Sequence, residues 1–416
     1  MKMSHQILGR IVLILFALHG VFYLNFFIQS GFLAKRIRDK DVIFGVISFA
    51  LFSAISTTAL GRIRGWNYKA FYRIHIAIAI AITVPLYLHV HHIRVYVWEI
   101  IAVNSLNWLL RATCTKTYSG TIKLLPGTDL VQIRIPLTSV KSALAWQPGQ
   151  HIYLGQPARD LYPEAMRNKV VALYGCFNPF TIASLPVKDQ ELLLVARTLH
   201  GNTKKLAKLA QSLADEMQDV PLLLEGPYGA STHFPDFSLF DKVLLVAGGV
   251  GATFVMPVYR SIIDFHDPDH AGHPQIRFIW AVQKLADTQW AFPNATDEEG
   301  SGSESPLHDS APVEVFVTRG GGATVHMDES GEGFELAESD QLLSAEEEVQ
   351  KSRKGMVLRA GRPKIGAVVD EVFSKGSRVA VVACGPKRLT RKLSASVEQW
   401  VMQGHEVYYH EETFGW

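Results

Sequence analysis

The sequence predicts a multi-domain chain: an α-helical transmembrane region, then an antiparallel β-barrel, then an α/β doubly wound domain. Three observations predict it. Four apolar runs fall within the first 110 residues, joined by basic connectors. After Arg111 the texture changes to short alternating segments separated by turn residues. From Lys242 onward, buried strand-like runs alternate with helical patterns around a Gly-rich turn. Composition agrees. With 48% hydrophobic and 19% charged residues, the chain is apolar for a soluble protein and polar for a pure membrane protein. Its 416 residues allow two or three domains.

The apolar runs cover residues 11–28, 42–60, 71–89 and 95–110. Each is near the ~20 residues that a ~30 Å hydrocarbon core requires. One such run could be a buried helix of a soluble domain. Four in succession with basic connectors argue for a membrane. The connector 29–41 carries Lys35, Arg36, Arg38 and Lys40, and 61–73 carries Arg62, Arg64, Lys69 and Arg73. Positive charge is balanced between them, so it does not set the orientation. The opening Met1-Lys2-Met3-Ser4 runs straight into the first span without a small-residue cleavage pattern, unlike a signal peptide.

Two of these runs carry histidines at matched spacing. His5 and His19 are 14 residues apart, and so are His75 and His89. Fourteen residues return a helical side chain to within roughly 40° of its starting face, about 21 Å along the axis. Two such helices offer two histidine pairs, one near each membrane face. A lone histidine in a membrane helix is usually a polar contact between helices, but two matched pairs point to function. The geometry suits two stacked hemes with bis-histidine ligation. His91 and His92 are rival ligands to His89 but turn roughly 160° and 100° off the face of His75.

Segments 120–125, 130–136, 151–154 and 192–197 read as barrel strands, with turns at Leu125-Pro126-Gly127 and Gln147-Pro148-Gly149. Segments 243–247, 276–282, 313–318 and 378–383 read as parallel strands, with a helix through Phe265. Residues 293–311 and 320–355 are acidic, Gly-rich or Ser-rich, and their composition predicts disordered insertions. The sequon at Asn294 falls in the first and is a chance match if the domain is cytosolic. The predicted domains are 1–112, 113–238 and 239–416. A net charge of +2 gives no reason to expect nucleic acid as a partner. Cys114, Cys176 and Cys384 are too scattered for a disulfide framework or a metal cluster.

Three motifs carry chemistry. In Asn178-Pro179-Phe180-Thr181-Ile182-Ala183-Ser184, a Pro-fixed turn could present hydroxyls to a ring or a phosphate; a polar strand end explains it equally well. Ala247-Gly248-Gly249-Val250-Gly251 follows a strand and opens a helix, which lets backbone amides approach a pyrophosphate. Cys384-Gly385-Pro386 leaves a second strand at the same sheet edge, where ligands bind in such folds. Either of the last two could instead be a plain tight turn.

Taken together and in order, these features resemble the fungal ferric reductases, within the ferric reductase and NADPH oxidase superfamily. Further matches are His5-x-x-Leu8-Gly9-Arg10, Gln147-Pro-Gly-Gln-His151, Glu225-Gly-Pro-Tyr-Gly229 and the ending His410-Glu-Glu-Thr-Phe-Gly-Trp416. The resemblance implies a heme domain followed by ferredoxin reductase-like FAD-binding and NAD(P)-binding domains. It implies that His5, His19, His75 and His89 hold two hemes b. Pro179, Phe180, Thr181 and Ser184 match the flavin motif, and Gly201 and Thr203 a site near the FAD pyrophosphate. Gly248, Gly249 and Gly251 match the nicotinamide-nucleotide loop. Cys384, Gly385 and Pro386 lie beside the nicotinamide, and Phe414 or Trp416 covers the flavin ring. The chain departs from the pattern at Asn178, where His is usual, and at Gln283, where Arg is common; Lys284 is the substitute for holding a 2′-phosphate. It also lacks the family's earlier helices and reads as N-terminally shortened.

The activity so implied is transfer of electrons from cytosolic NADPH, through FAD and two hemes, to extracellular ferric or cupric chelates. It implies a multi-pass plasma-membrane protein in contact with lipid, with a metal permease or oxidase downstream. No catalytic acid, base or nucleophile is needed, because the cofactors carry the redox chemistry. Two alternatives stay open at this level: a superoxide-generating NADPH oxidase, and a truncated heme-poor membrane partner or regulator.

Overall fold

The computed structural model describes residues 2–66, 68–137, 146–155, 177–199, 201–213, 219–229, 234–264, 274–292, 312–318, 355–374 and 377–413. The candidate insertion 293–311, nearly all of 320–355, and Phe414 and Trp416 lie outside the described residues. The chain divides into two units, Met1–Leu110 and Arg111–Trp416.

The first unit is helical. Helix α1 covers Lys2–Gln29, α2 Lys40–Thr58, α3 Tyr68–Ala81 and α4 Thr83–His89; α5, Arg94–Cys114, follows. The third apolar run is one membrane-length stretch, Ala70–His89, interrupted only at Ile82. Ile82 keeps helical angles, its N–H donates to the Ile78 carbonyl at 2.9 Å, and its carbonyl accepts from Leu86 N–H at 3.2 Å. Pro85 has no N–H to give the Ala81 carbonyl, which accounts for the interruption. The Thr83 hydroxyl donates to the Ile80 carbonyl at 2.7 Å. Among the described residues, three segments are long and apolar enough to cross a membrane: Ser4–Gln29, Lys40–Thr58 and Ala70–His89. The fourth run is helical as expected, but Arg94, Glu99, Asn104 and Asn107 dilute α5, and it does not qualify. Along the first span, Val21, Phe22 and Phe26 stand exposed, as apolar side chains facing lipid do.

The second unit holds two six-stranded sheets. The first contains β1 (Lys116–Leu124), β2 (Leu130–Pro136), β3 (His151–Gly155), β4 (Asn178–Thr181), β5 (Glu191–Arg197) and β6 (Val220–Tyr228). Its order is β4-β3-β6-β1-β2-β5, antiparallel throughout. The edges β4 and β5 meet through an Ile182–Leu194 bridge, and Ala183 N–H donates to the Leu193 carbonyl at 2.8 Å. That contact closes the barrel and removes its edges. Alternating residues such as Ile133, Ile135, Leu192, Leu194 and Leu222 fill the interior and are fully buried.

The second sheet is parallel, in the order β10-β9-β8-β7-β11-β12. Its strands are β7 (Lys242–Gly248), β8 (Gln275–Val282), β9 (Val313–Val317), β10 (Met356–Ala360), β11 (Val379–Cys384) and β12 (Val407–Glu412). Two apolar cores cover its two faces, one around Tyr259 and Trp280, the other around Val369 and Leu393. Because both faces are covered, β7 and β11 are continuous Val/Leu/Ala runs. Sequence patterning misses β4, β6, β10 and β12. Strand β4 contains Pro179 and reads as a turn, β6 has Pro221 near its start and carries Glu225, and β12 runs Val-Tyr-Tyr-His-Glu-Glu, so none shows a clean apolar period.

Candidate functional site

The four histidines come first. The rings of His5 and His75 are neighbours in an edge-on arrangement, with centroids 6.1 Å apart and planes 75° to one another. Two imidazoles that share one metal ion, with bonds of about 2 Å each, stand roughly 6 Å apart centre to centre, so the spacing of this pair would suit shared ligation. His75 Nδ1 is buried without a hydrogen-bond partner, and Phe71 packs on that ring at 5.2 Å. The other two histidines have different neighbours. His19 lies against Tyr23 at 4.7 Å, and His89 Nδ1 is 2.6 Å from the Asp41 carbonyl oxygen on α2. The structure thus brings His5 and His75 together and gives His19 and His89 separate contacts. Among the described residues, no three His, Cys, Asp or Glu side chains gather as a metal cluster.

The motif at Asn178–Ser184 is itself strand β4 and its exit. Pro179 lies opposite Tyr153, and Thr181 opposite His151. The rings of His151, Tyr153 and Tyr228 then form a cluster, with centroids 5.7–6.2 Å apart. Tyr228 is partly exposed, so this aromatic wall beside Pro179 can receive a planar ring. Glu225 holds the wall from behind. It accepts from the Tyr228 hydroxyl at 3.1 Å and from Arg111 Nη2 at 3.0 Å. Burial and the adjacent Glu225 carboxylate push the Tyr228 phenol up to about 12, so it stays a donor at neutral pH. Burial pushes the His151 imidazole down, with Glu412 opposing.

Gly201 and Thr203 reach the same place. Asn202 Nδ2 donates to Asn178 Oδ1 at 3.2 Å, which brings the start of helix α6 (Asn202–Ser212) to the end of β4. Gly201 precedes that helix at φ +68°, a conformation that favours glycine, and the Thr203 hydroxyl accepts from Leu199 N–H at 3.1 Å. The backbone amides of this first turn offer an anion site. Ser184 differs from the others. It is 1% exposed, and its hydroxyl accepts from Leu193 N–H at 3.0 Å while its carbonyl accepts from Trp146 Nε1 at 2.9 Å. It faces the barrel interior and locks the β4–β5 closure. Thr181 and Phe180 are likewise buried.

The nucleotide loops meet backbone to backbone. Strands β7 and β11 pair in register, with Cys384 opposite Ala247, so both loops leave the same sheet edge. A Cβ on Gly248 would lie 2.6 Å from Pro386 Cδ, one on Gly385 3.0 Å from Gly248 N, and one on Gly251 would strike the Cys384 carbonyl. Gly249 alone of these faces open space, at φ +56°. Trp280 Nε1 donates to the Gly249 carbonyl at 2.9 Å and pins the turn. Helix α7, Ala252–Asp264, then begins with its amides at the loop. Burial, with Glu412 and Glu411 adding, pushes the Cys384 thiol up, so it is neutral and unreactive. Lys284 Nζ donates to the Gly127 carbonyl at 3.3 Å, and Arg197 donates to Gln283 Oε1 at 2.9 Å.

Some of these roles escape sequence reading. Glu225 stands in a motif the sequence singles out, but its pairing with Arg111, 114 residues away, shows only in the structure. Asn202 gives no signal beyond following Gly201. A carboxylate directly after the apolar run Leu222–Leu224 is the available hint for the role of Glu225.

Three families match the chain in sequence: the ferric reductase like transmembrane component over residues 1–86, an FAD-binding domain over 116–232, and the ferric reductase NAD binding domain over 240–398. The chain is 25% identical to a "probable metalloreductase" of Meyerozyma guilliermondii over 93% of its length, and 22% identical to ferric reductase transmembrane component 3 of Saccharomyces cerevisiae over all of it. It is 21% identical, again over its whole length, to ferric/cupric reductase transmembrane component 1 of Candida albicans. It spans 72%, 56% and 52% of those proteins' own lengths.

Proposed function

The chain belongs to the ferric reductase family, and from that premise we propose that it is a membrane-bound ferric-chelate reductase with NADPH as donor and ferric or cupric chelates as acceptors. Its resident cofactors would be FAD and two bis-histidine hemes b, in a plasma membrane with the flavin and nucleotide domains cytosolic. The observation that carries this reading is the order of parts in one chain: apolar helices with four histidines, a flavin-type barrel, then a nucleotide-type sheet.

FAD would supply the hydride-accepting and electron-splitting chemistry, and the hemes one-electron transfer. The protein's part is to bind, orient and insulate. His5 and His75 would hold one heme, and His19 and His89 the other. Pro179, Tyr153 and Tyr228 offer an apolar wall for the flavin ring, and Glu225 with Arg111 keeps Tyr228 in place. The first turn of α6 at Gly201 would take the FAD pyrophosphate, and the open backbone of Gly249 the pyrophosphate of the nucleotide. Cys384, kept neutral by burial, borders the nicotinamide without adding charge. Lys284 is the cation for a 2′-phosphate; it keeps two donors after its bond to Gly127.

Purified holoprotein tests this directly. NADPH should reduce a ferric chelate at equal rates with and without oxygen, with a low-spin heme spectrum. Superoxide in place of ferrous product would assign the chain to oxidase chemistry. A spectrum without low-spin heme would remove the electron path.

A further inference from the structure

The contact between His89 and helix α2 carries more than a helix–helix packing role. A backbone carbonyl only accepts, so the 2.6 Å approach of His89 Nδ1 to the Asp41 oxygen requires a proton on Nδ1. The lone pair then sits on Nε2, the nitrogen free to bind a metal. Metal-ligating histidines typically spend their second N–H in this way, which fixes the ring and raises its basicity.

The carbonyl is reachable because of one glycine. Asp41 lies in the first turn of α2, and Gly45 lies one turn further along, over that carbonyl. A Cβ at position 45 would stand 2.6 Å from His89 Cε1 and 2.9 Å from His89 Nδ1, closer than real Cβ contacts occur. The obstruction would meet the imidazole ring rather than a flexible chain end. Any other residue at 45 would therefore displace the ring from the Asp41 oxygen. Glycine weakens a helix interior relative to alanine, so its presence within the apolar span Lys40–Thr58 calls for a reason. By contrast, Gly9, Gly20 and Gly65, also helical, have nothing within 4 Å of such a Cβ. One turn beyond Gly45, Ser48 is buried with an Oγ that has no hydrogen-bond partner.

We propose that Gly45 is a positioning residue for the His89 heme ligand: its missing side chain opens α2 so that the Asp41 carbonyl can hold Nδ1–H and aim Nε2 at the iron. This rests on the bis-histidine reading of the proposed function.

The test is Gly45→Ala in the full-length holoprotein, with Gly65→Ala as the control for adding a methyl group to a helix. Heme is measured by pyridine hemochrome against FAD content, and ligation by low-temperature electron paramagnetic resonance. Gly45→Ala should lose about half of the low-spin signal, or move that half to high spin, with the FAD content unchanged. Gly65→Ala should match wild type. Full low-spin signal from both hemes in Gly45→Ala would overturn the proposal while leaving the two-heme reading intact. Wild-type protein without two low-spin hemes would instead overturn that reading. If Gly45→Ala does not accumulate, electron–nuclear double resonance of the wild-type protein in H2O and D2O decides. An exchangeable, hydrogen-bonded Nδ1 proton on an axial imidazole supports the assignment, and its absence from every axial ligand refutes it.

Discussion

Ser184 and Tyr228 show, at the scale of single residues, how motif side chains divide between presenting a surface and bracing the fold. Both lie in stretches that the family resemblance singles out, yet their side chains face opposite ways. Tyr228 presents its ring outward while Glu225 holds its hydroxyl. Ser184 turns inward, and its oxygen satisfies the Leu193 N–H of β5. Ser184→Ala should leave that buried amide unpaired, at a cost of about 1–3 kcal/mol. The expected result is a thermal midpoint several degrees lower, with the flavin spectrum and FAD stoichiometry of the folded protein unchanged. Loss of FAD at an unchanged midpoint would show that the hydroxyl contacts the flavin instead. Sequence alone presents Thr181 and Ser184 as hydroxyls open to a ligand, because the burial of both is a property of the closed barrel and not of the motif.

At the scale of elements, the two loops at the C-terminal ends of β7 and β11 act as one unit. Their glycines are required by each other: Gly251 gives way to the Cys384 carbonyl, and Gly248 to Pro386 and Gly385. Gly251→Ala should force the loops apart, an overpacking cost of about 1–3 kcal/mol. Steady-state kinetics with ferricyanide should then show the KM for NADPH rising roughly tenfold, which corresponds to about 1.4 kcal/mol. FAD content should be unchanged. Gly249→Ala meets no neighbour and should have a milder effect, through backbone strain at φ +56° alone. An equal or larger effect at Gly249 would mean that direct approach of the nucleotide, not loop packing, dominates. The strand-to-glycine pattern is legible in the sequence. That the two loops touch is not, since their strands are about 140 residues apart and meet only through sheet pairing.

At the scale of the whole molecule, Arg111–Trp416 carries its own barrel, its own parallel sheet and the ion pair that braces the aromatic wall. A fragment of residues 111–416 should therefore bind FAD and reduce ferricyanide with NADPH, while containing no heme. A fragment starting at Lys116 lacks Arg111 and leaves Glu225, almost wholly buried, without its cation. It should hold FAD less tightly, by roughly tenfold, because an uncompensated buried carboxylate is costly. Flavin retention on gel filtration compares the two. Equal retention would reduce the Arg111–Glu225 pair to a surface feature.

What the sequence determined by itself is local and periodic: the apolar spans, the histidine spacing, the glycine turns after strands, and the order of the parts. Those follow from residue chemistry within a window of some twenty residues. The tertiary structure decided what depends on partners far away in the chain. The two 14-residue histidine spacings are identical in sequence, yet their rings have different partners. His5 meets His75, whereas His89 Nδ1 lies 2.6 Å from the Asp41 carbonyl oxygen, beside Gly45. A helical repeat sets angle and rise along its own helix, but what a side chain meets is set by the neighbouring helix, which is distant in the sequence.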